Sequence, residues 1–247
     1  MLKRGELSSF SVPRRLAAWA VHFFTATGAV WALLAIQAIF AARWREAFVW
    51  MIVAVVVDGV DGTFARWVKV RHVLPYFDGA LLDNLTDYLN YVIVPALLLS
   101  RSELLPRSWG MPAAAVIALA SGYQFCREDA KTPDHHFRGF PSYWNVAVFY
   151  LFVFGLSPWS NLAILAALTV LIFVPVKYVY PSRTDRLPRL TLSLTAIWGL
   201  LIVAMVATVP ATPRWLVGGS LLYVVYYVAL SLYDTLSHQT VVGRRGA

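Results

Sequence analysis

Long apolar runs separated by short polar intervals dominate the chain. Eight of them read as helices, at residues 16–41, 47–66, 77–99, 110–126, 143–157, 161–180, 190–210 and 215–234. A bilayer-crossing helix needs about 20 apolar residues, and only the fifth run falls clearly short. The start of the second is blurred by Arg43, Arg45 and Glu46. The longest polar interval, 127–142, is too short to fold around a core of its own. The pattern therefore predicts an all-α, polytopic membrane helix bundle of about eight transmembrane helices, organised as one domain over residues 1–247. Lys3, Arg4, Arg14 and Arg15 precede the first run, which is long and lacks a small-residue cleavage site. It reads as a retained span rather than a signal peptide. Residues 10–21 begin as an interfacial helix with Arg14 and Arg15 at the headgroups.

Composition agrees with a membrane protein. Of 247 residues, 59% are apolar or aromatic and 14% are charged, against about a quarter charged in soluble domains. Positive charge sets the orientation. With eight spans, sixteen of the 21 Lys and Arg residues fall on the side of the termini and five on the other. Both termini are thus expected in the cytoplasm. The net charge of +8 is spread over several short loops, which argues against nucleic-acid binding. It suits anionic membrane lipids instead. The single Cys126 excludes an intrachain disulfide and reads as a buried small apolar residue.

Thirteen acidic residues are present, and five lie between positions 58 and 87. Carboxylates inside membrane spans are costly and usually functional. At 100° per residue, Asp61 lies about −60° from Asp58, Gly62 about +40°, Ala65 about −20° and Arg66 about +80°. Two carboxylates, two small residues and a guanidinium therefore share one face, where the missing side chains leave room for a ligand. Val57, Val60, Phe64 and Trp67 occupy the other face. In the next run Gly79, Asp83 and Asp87 form a stripe, with Thr86 and Asn90 beside it and Leu81, Leu85, Tyr88 and Leu89 elsewhere. Asp78 reads as a helix N-cap. Packed face to face, the two helices would gather Asp58, Asp61, Asp83 and Asp87. Four close carboxylates require cations. With no His or Cys among them, Mg²⁺ or Mn²⁺ fits better than Zn²⁺. Two such ions would clamp a phosphoryl substrate, and Arg66 would complete the anion site.

Asp58-Gly59-Val60-Asp61-Gly62-Thr63-Phe64-Ala65-Arg66 followed by Gly79-Ala80-Leu81-Leu82-Asp83-Asn84-Leu85-Thr86-Asp87 resembles the signature of the CDP-alcohol phosphatidyltransferase family. All eight signature residues are present. The spacer at residues 67–78 is about four residues longer than usual. That spacer, the segment Gly139-Phe140-Pro141-Ser142-Tyr143-Trp144-Asn145 and the span count resemble the choline-specific branch more than the serine, glycerol 3-phosphate or inositol phosphate branches. The resemblance implies an inner-membrane enzyme of bacteria, with its active site facing the cytoplasm. It implies transfer of a phosphatidyl group from CDP-diacylglycerol to an alcohol, with choline the first choice, and release of CMP. It also implies roles. Asp58, Asp61 and Asp83 would bind the metals, Asp87 would bind metal and act as general base, and Gly62, Ala65 and Gly79 would make space for the cytidine nucleotide. Arg66 would hold the pyrophosphate. Relatives of this family usually pair, so a homodimer is expected.

A quaternary ammonium such as choline favours aromatic faces and carboxylates. Tyr123, Tyr143, Trp144 and Tyr178 are the candidate aromatics, and Glu128 and Asp129 the candidate acids. Interface anchoring is the competing reading for each ring. His135 and His136 are assigned surface or substrate-access roles. His72, Lys69 and Arg71 are assigned to headgroups or nucleotide. Lys177, Arg183, Arg186 and Arg189 express positive-inside bias or bind the anionic lipid substrate. The rival outside the family is an ion-coupled transporter, which would favour repeated halves and midplane acids. No repeat is evident, and the acids lie near one surface.

Overall fold

The computed structural model describes residues 10–132, 134–184 and 186–245, with side chains described to Ser237. Lys3 and Arg4 lie outside the described residues, as do the side chains of Arg244 and Arg245. The protein is an all-α membrane protein, with one two-stranded sheet among the described residues. Among the described residues four helices are long and apolar enough to cross a membrane: α1 (Val12–Phe40), α2 (Trp44–Val68), α9 (Pro188–Thr208) and α10 (Arg214–Arg245, apolar as far as Ser237). The chain divides into two compact units, one ending at Pro95 and the other beginning at Ala96.

The N-terminal unit is built on a seam of small residues. On α1 the buried positions Ala18, Val21, Thr25, Gly28, Ala32, Ala35 and Ile39 recur every three or four residues. Ala47, Met51, Ala54, Val57 and Asp61 do the same on α2. Small side chains let membrane helices approach closely, where dispersion and interhelical hydrogen bonds hold them. On the face opposite the acids, Val57 is buried, whereas Val60, Phe64 and Trp67 are exposed.

The lengthened spacer has a structure. Lys69 adopts left-handed backbone, with φ 58°, and ends α2. One further turn, α3 (Val70–Val73), follows. Val70, Val73 and Leu74 pack with Ala18 and Val21 of α1, and Ala65, Val68, Phe77 and Phe10 border that cluster. Asp78 then caps the next helix, accepting from the Leu81 amide at 3.0 Å. This helix, α4 (Gly79–Asp87), runs through a π-helical turn at Tyr88–Ile93 into α5 (Val94–Arg101). Gly79 faces the His22 ring of α1. A Cβ on Gly79 would stand 2.6 Å from His22 Cε1.

In the C-terminal unit α6 (Gly110–Cys126), α7 (Trp144–Phe154) and α8 (Pro158–Phe173) are shorter. At 1.5 Å per residue α7 rises about 17 Å, roughly half of a hydrocarbon core. The expected sixth span, 161–180, is corrected: α8 stops at Phe173, and β2 (Lys177–Val179) follows. Pro175 supplies the reason, since it lacks an amide hydrogen and disfavours helix at Val174. β2 pairs antiparallel with β1 (His136–Arg138) in the register Phe137↔Tyr178. At Gly139, φ is +80°, and a Cβ there would collide with the Ile172 carbonyl oxygen. Only glycine fits that turn.

Polar contacts tie the strands to α10. Ser231 accepts from the Val179 amide at 3.1 Å and Thr235 from the Lys177 amide at 2.9 Å. His136 is buried, 8% exposed, so its expected surface role is corrected. Its Nε2 lies 3.1 Å from Asp234 Oδ2, and Arg186 Nε lies 3.0 Å from Asp234 Oδ1. Lys177 Nζ lies 2.5 Å from Asp134 Oδ2. Lys177 and Arg186 of the basic stretch are therefore paired with carboxylates of the same chain. Cys126 is exposed rather than buried, because it ends α6 beside the polar loop.

Two expectations follow from this packing. Gly79→Ala forces His22 aside, and overpacking of this kind costs about 1–3 kcal/mol. Adding His22→Ala restores part of that loss in thermal melts of detergent-purified protein; unchanged melting of Gly79→Ala would contradict the contact. Burial disfavours a charged Asp134, but the hydrogen bonds from Lys177 and Thr132 and the Lys177 charge outweigh it, holding the carboxyl well below its ordinary range. A depressed carboxyl stabilises above its unfolded value of about 3.9 and loses that contribution as pH falls through the lower folded value. Asp134→Asn should therefore cost on the order of 1 kcal/mol at pH 7, for a partly exposed pair. Melting curves against pH should show that gap narrowing below about pH 4.

Candidate active site

The acid face of α2 and the stripe of α4 meet within the N-terminal unit. Asp58, Asp83 and Asp87 each place a carboxylate oxygen within 4.8 Å of the others, all three half-buried. Twice a Mg²⁺–oxygen distance of about 2.1 Å separates opposite ligands by about 4.2 Å. Adjacent ligands of one octahedral ion stand closer, about 3.0 Å apart, so the three carboxylates would turn inward by about 1–2 Å to share a hard divalent ion. The donor set is all oxygen, which suits Mg²⁺ or Mn²⁺.

Asp61 lines the same small polar cleft, together with Thr25, Gly28, Asp58, Thr86, Asp87, Asn90 and Tyr91. It stands outside the triad of close carboxylates. It is 6% exposed, and the Thr25 side chain of α1 hydrogen-bonds to it. Helix α1 thus holds the fourth aspartate. Asn90 Nδ2 donates to the Gly28 carbonyl of α1 and to the Thr86 carbonyl, both at 2.9 Å. The close approach at Gly28 leaves no slack: a Cβ there would lie 3.2 Å from Thr86 Cβ.

The other signature residues take distinct places. Arg66 is exposed and donates to Thr63 Oγ1 at 2.9 Å. Its Nη1 would lie 3.3 Å from a Cβ on Gly62, so the guanidinium rests beside the glycine. Ala65 borders the core cluster around α3. Gly79 accommodates His22. The Asp78 cap is as expected.

Tyr91 was missed by sequence reasoning, and its hydroxyl donates to Asp58 Oδ2 at 2.7 Å. A signal existed, because Tyr91 continues the four-residue spacing of Gly79, Asp83 and Asp87. His22 carried no sequence signal, since its role depends on a glycine 57 positions away. Thr25 was equally silent.

The proposed acceptor residues lie in the C-terminal unit. Tyr123 is exposed, with the Arg127 guanidinium 5.5 Å from its ring centroid. Glu128 is exposed on a short 3₁₀ turn. Asp129 is engaged by Arg127 at 2.6 Å and Arg138 at 2.7 Å. Trp144 is fully buried, and its indole N–H donates to Ser121 at 2.7 Å. Tyr178 is 6.4 Å from Tyr227, centroid to centroid, and Tyr227 is 6.3 Å from Tyr223. Burial pushes the Tyr178 phenol up. Tyr143 is half-buried beside Phe137.

No family model matches the sequence. Curated relatives do. A phosphatidylcholine synthase of Legionella pneumophila is 44% identical over 92% of this chain and 91% of its own length. One from Pseudomonas aeruginosa is 40% identical over 78% and 83%. One from Borreliella burgdorferi is 35% identical over 89% and 95%. Similarity of this level along nearly the whole length, including both aspartate helices, decides the family: the chain belongs to the phosphatidylcholine synthases.

Proposed function

We propose that the protein transfers the phosphatidyl group of CDP-diacylglycerol to choline and releases CMP. The observation that carries this reading is the convergence of Asp58, Asp83 and Asp87 within 4.8 Å in a chain of this family. The relatives' shared name supports choline as the acceptor. A soluble alcohol and a two-tailed lipid nucleotide would meet at a membrane surface, where membrane helices admit the acyl chains.

Asp58, Asp83 and Asp87, with Asp61 beside them, would hold divalent cations, Mn²⁺ or Mg²⁺, two in each active site. Such ions offset the negative charge of the pyrophosphate and polarise the reacting phosphoryl group. Arg66 binds pyrophosphate oxygens, being always charged and exposed. Gly62 keeps the backbone open beside that guanidinium for the nucleotide. Gly79 and Ala65 act through the approach they allow, one to His22 and the other to α3. Asp87 takes the choline hydroxyl proton as the hydroxyl oxygen bonds to the lipid-side phosphorus. The bond from that phosphorus to the CMP oxygen breaks, and CMP leaves with the electron pair. Positioning and preorganised charge supply most of the acceleration.

Eight helical segments cross the bacterial cytoplasmic membrane, α7 being the shortest of them. Both termini and the aspartates face the cytoplasm, the chain works as one catalytic domain, and two copies pair. In the C-terminal unit, the faces of Tyr143, Tyr178 and their tyrosine neighbours offer the surface a quaternary ammonium favours. Tyr123 and Glu128 stand as further candidates.

The direct test is CMP release by purified protein supplied with CDP-diacylglycerol, Mn²⁺ and a panel of alcohols. Choline should give CMP and phosphatidylcholine in equal amounts, while serine, glycerol 3-phosphate and inositol phosphate give background. Asp87→Asn should lower the choline rate by about 10²–10⁴-fold, the usual worth of a general base, with unchanged melting. Equal turnover with another acceptor would contradict the choline assignment, and full activity of the variant would contradict the base.

A further inference from the structure

We propose that Tyr91 is the positioning residue for the metal-binding carboxylate Asp58, and that the π-helical turn between α4 and α5 exists to aim it. The inference rests on the aspartate cluster being a metal site.

Three observations converge. The Tyr91 hydroxyl donates to Asp58 Oδ2 at 2.7 Å. Asp58 also contributes an oxygen to the group of three carboxylates. Tyr91 sits inside the π-helical turn Tyr88–Ile93. In a regular α-helix the stripe drifts by about 40° for each four residues, so Tyr91 would lie about 80° from Asp83. A π turn closes five residues apart instead of four. A residue four positions after Asp87 then falls short of a full turn instead of overshooting it. The widened turn thus brings the phenol back over the stripe of Asp83 and Asp87, facing Asp58 on α2.

Asn90 gives the turn a cause. Its side-chain amide donates to the Thr86 carbonyl at 2.9 Å, the group to which the Asn90 backbone amide would bond in an α-helix. The same amide donates to the Gly28 carbonyl of α1. A side chain inserted into the backbone ladder locally widens or bends a helix. One buried asparagine therefore anchors the wide turn to α1, and the wide turn presents the tyrosine.

The consequence concerns metal affinity. An ionised carboxylate accepts at both oxygens. A phenol donating to Oδ2 fixes the rotation of the group and leaves its other lone pairs to the cation. Partners that orient metal ligands in this way are worth about 10–100-fold in affinity. Tyr91 itself touches neither metal nor substrate.

The test is Tyr91→Phe, which deletes the hydroxyl and keeps the ring. Mn²⁺ binding is measured on detergent-purified, metal-stripped protein by the loss of the free Mn²⁺ electron paramagnetic resonance signal. The variant should bind Mn²⁺ about tenfold or more weakly. Its CMP release should need correspondingly more Mn²⁺, with the KM for choline unchanged. A purely structural tyrosine would lower the melting temperature of metal-free protein and leave Mn²⁺ affinity as it was; that result overturns the proposal. If the variant is unstable in detergent, the Mn²⁺-induced rise in melting temperature is read in native membranes. A rise as large as the wild type's overturns the proposal, and a smaller one supports it. Failure of the wild type to bind Mn²⁺ would instead remove the metal site, and the proposal with it.

Discussion

Like charges held close together inside a membrane protein define this molecule. Asp58, Asp83 and Asp87 bring carboxylate oxygens within 4.8 Å of one another, and mutual repulsion would drive the helices that carry them apart. The N-terminal unit resists with packing that has little freedom. Small residues on α1 and α2 make the seam tight. Thr25 holds Asp61, Tyr91 holds Asp58, and Asn90 clamps the turn after Asp87 to α1. Each aspartate face thus has a neighbour that fixes it, and cation binding is the natural relief for the charge that remains.

Helix α1 is the element whose importance the acidic motif hides. It bears no signature residue, yet it contacts both acidic helices. His22 fills the space above Gly79, Gly28 receives Asn90, and Ala18 with Val21 anchors the lengthened spacer through α3. Glycines in such motifs are readily assigned to ligand space. Here one of them admits a side chain of its own protein.

Much of the site was legible in the sequence because helical periodicity is local. The positions of Asp58, Asp83 and Asp87 on their faces and the exposed faces of α2 and α4 follow from counting at 100° per residue, and the Asp78 cap from the preference of aspartate for a helix start. What escaped depended on partners distant in the chain. Thr25 of α1, 36 residues earlier in the chain, hydrogen-bonds to Asp61. His136 is buried because Asp234, 98 residues later, pairs with it. Tyr91 was within reach of the same counting, but a π turn moves it onto the stripe, and nothing in a hydropathy pattern announces such a turn. The sixth run misled because apolarity continues through Val174 and Val176, where Pro175 and β-branched neighbours favour extended backbone.

The central claim is that the aspartates of α2 and α4 form one cation site. Diffraction from crystals grown with Mn²⁺, recorded at the manganese absorption edge, tests it most directly. The account predicts anomalous peaks bounded by carboxylate oxygens of Asp58, Asp83 and Asp87. Manganese bound elsewhere, or no peak between these helices at saturating Mn²⁺, would contradict it.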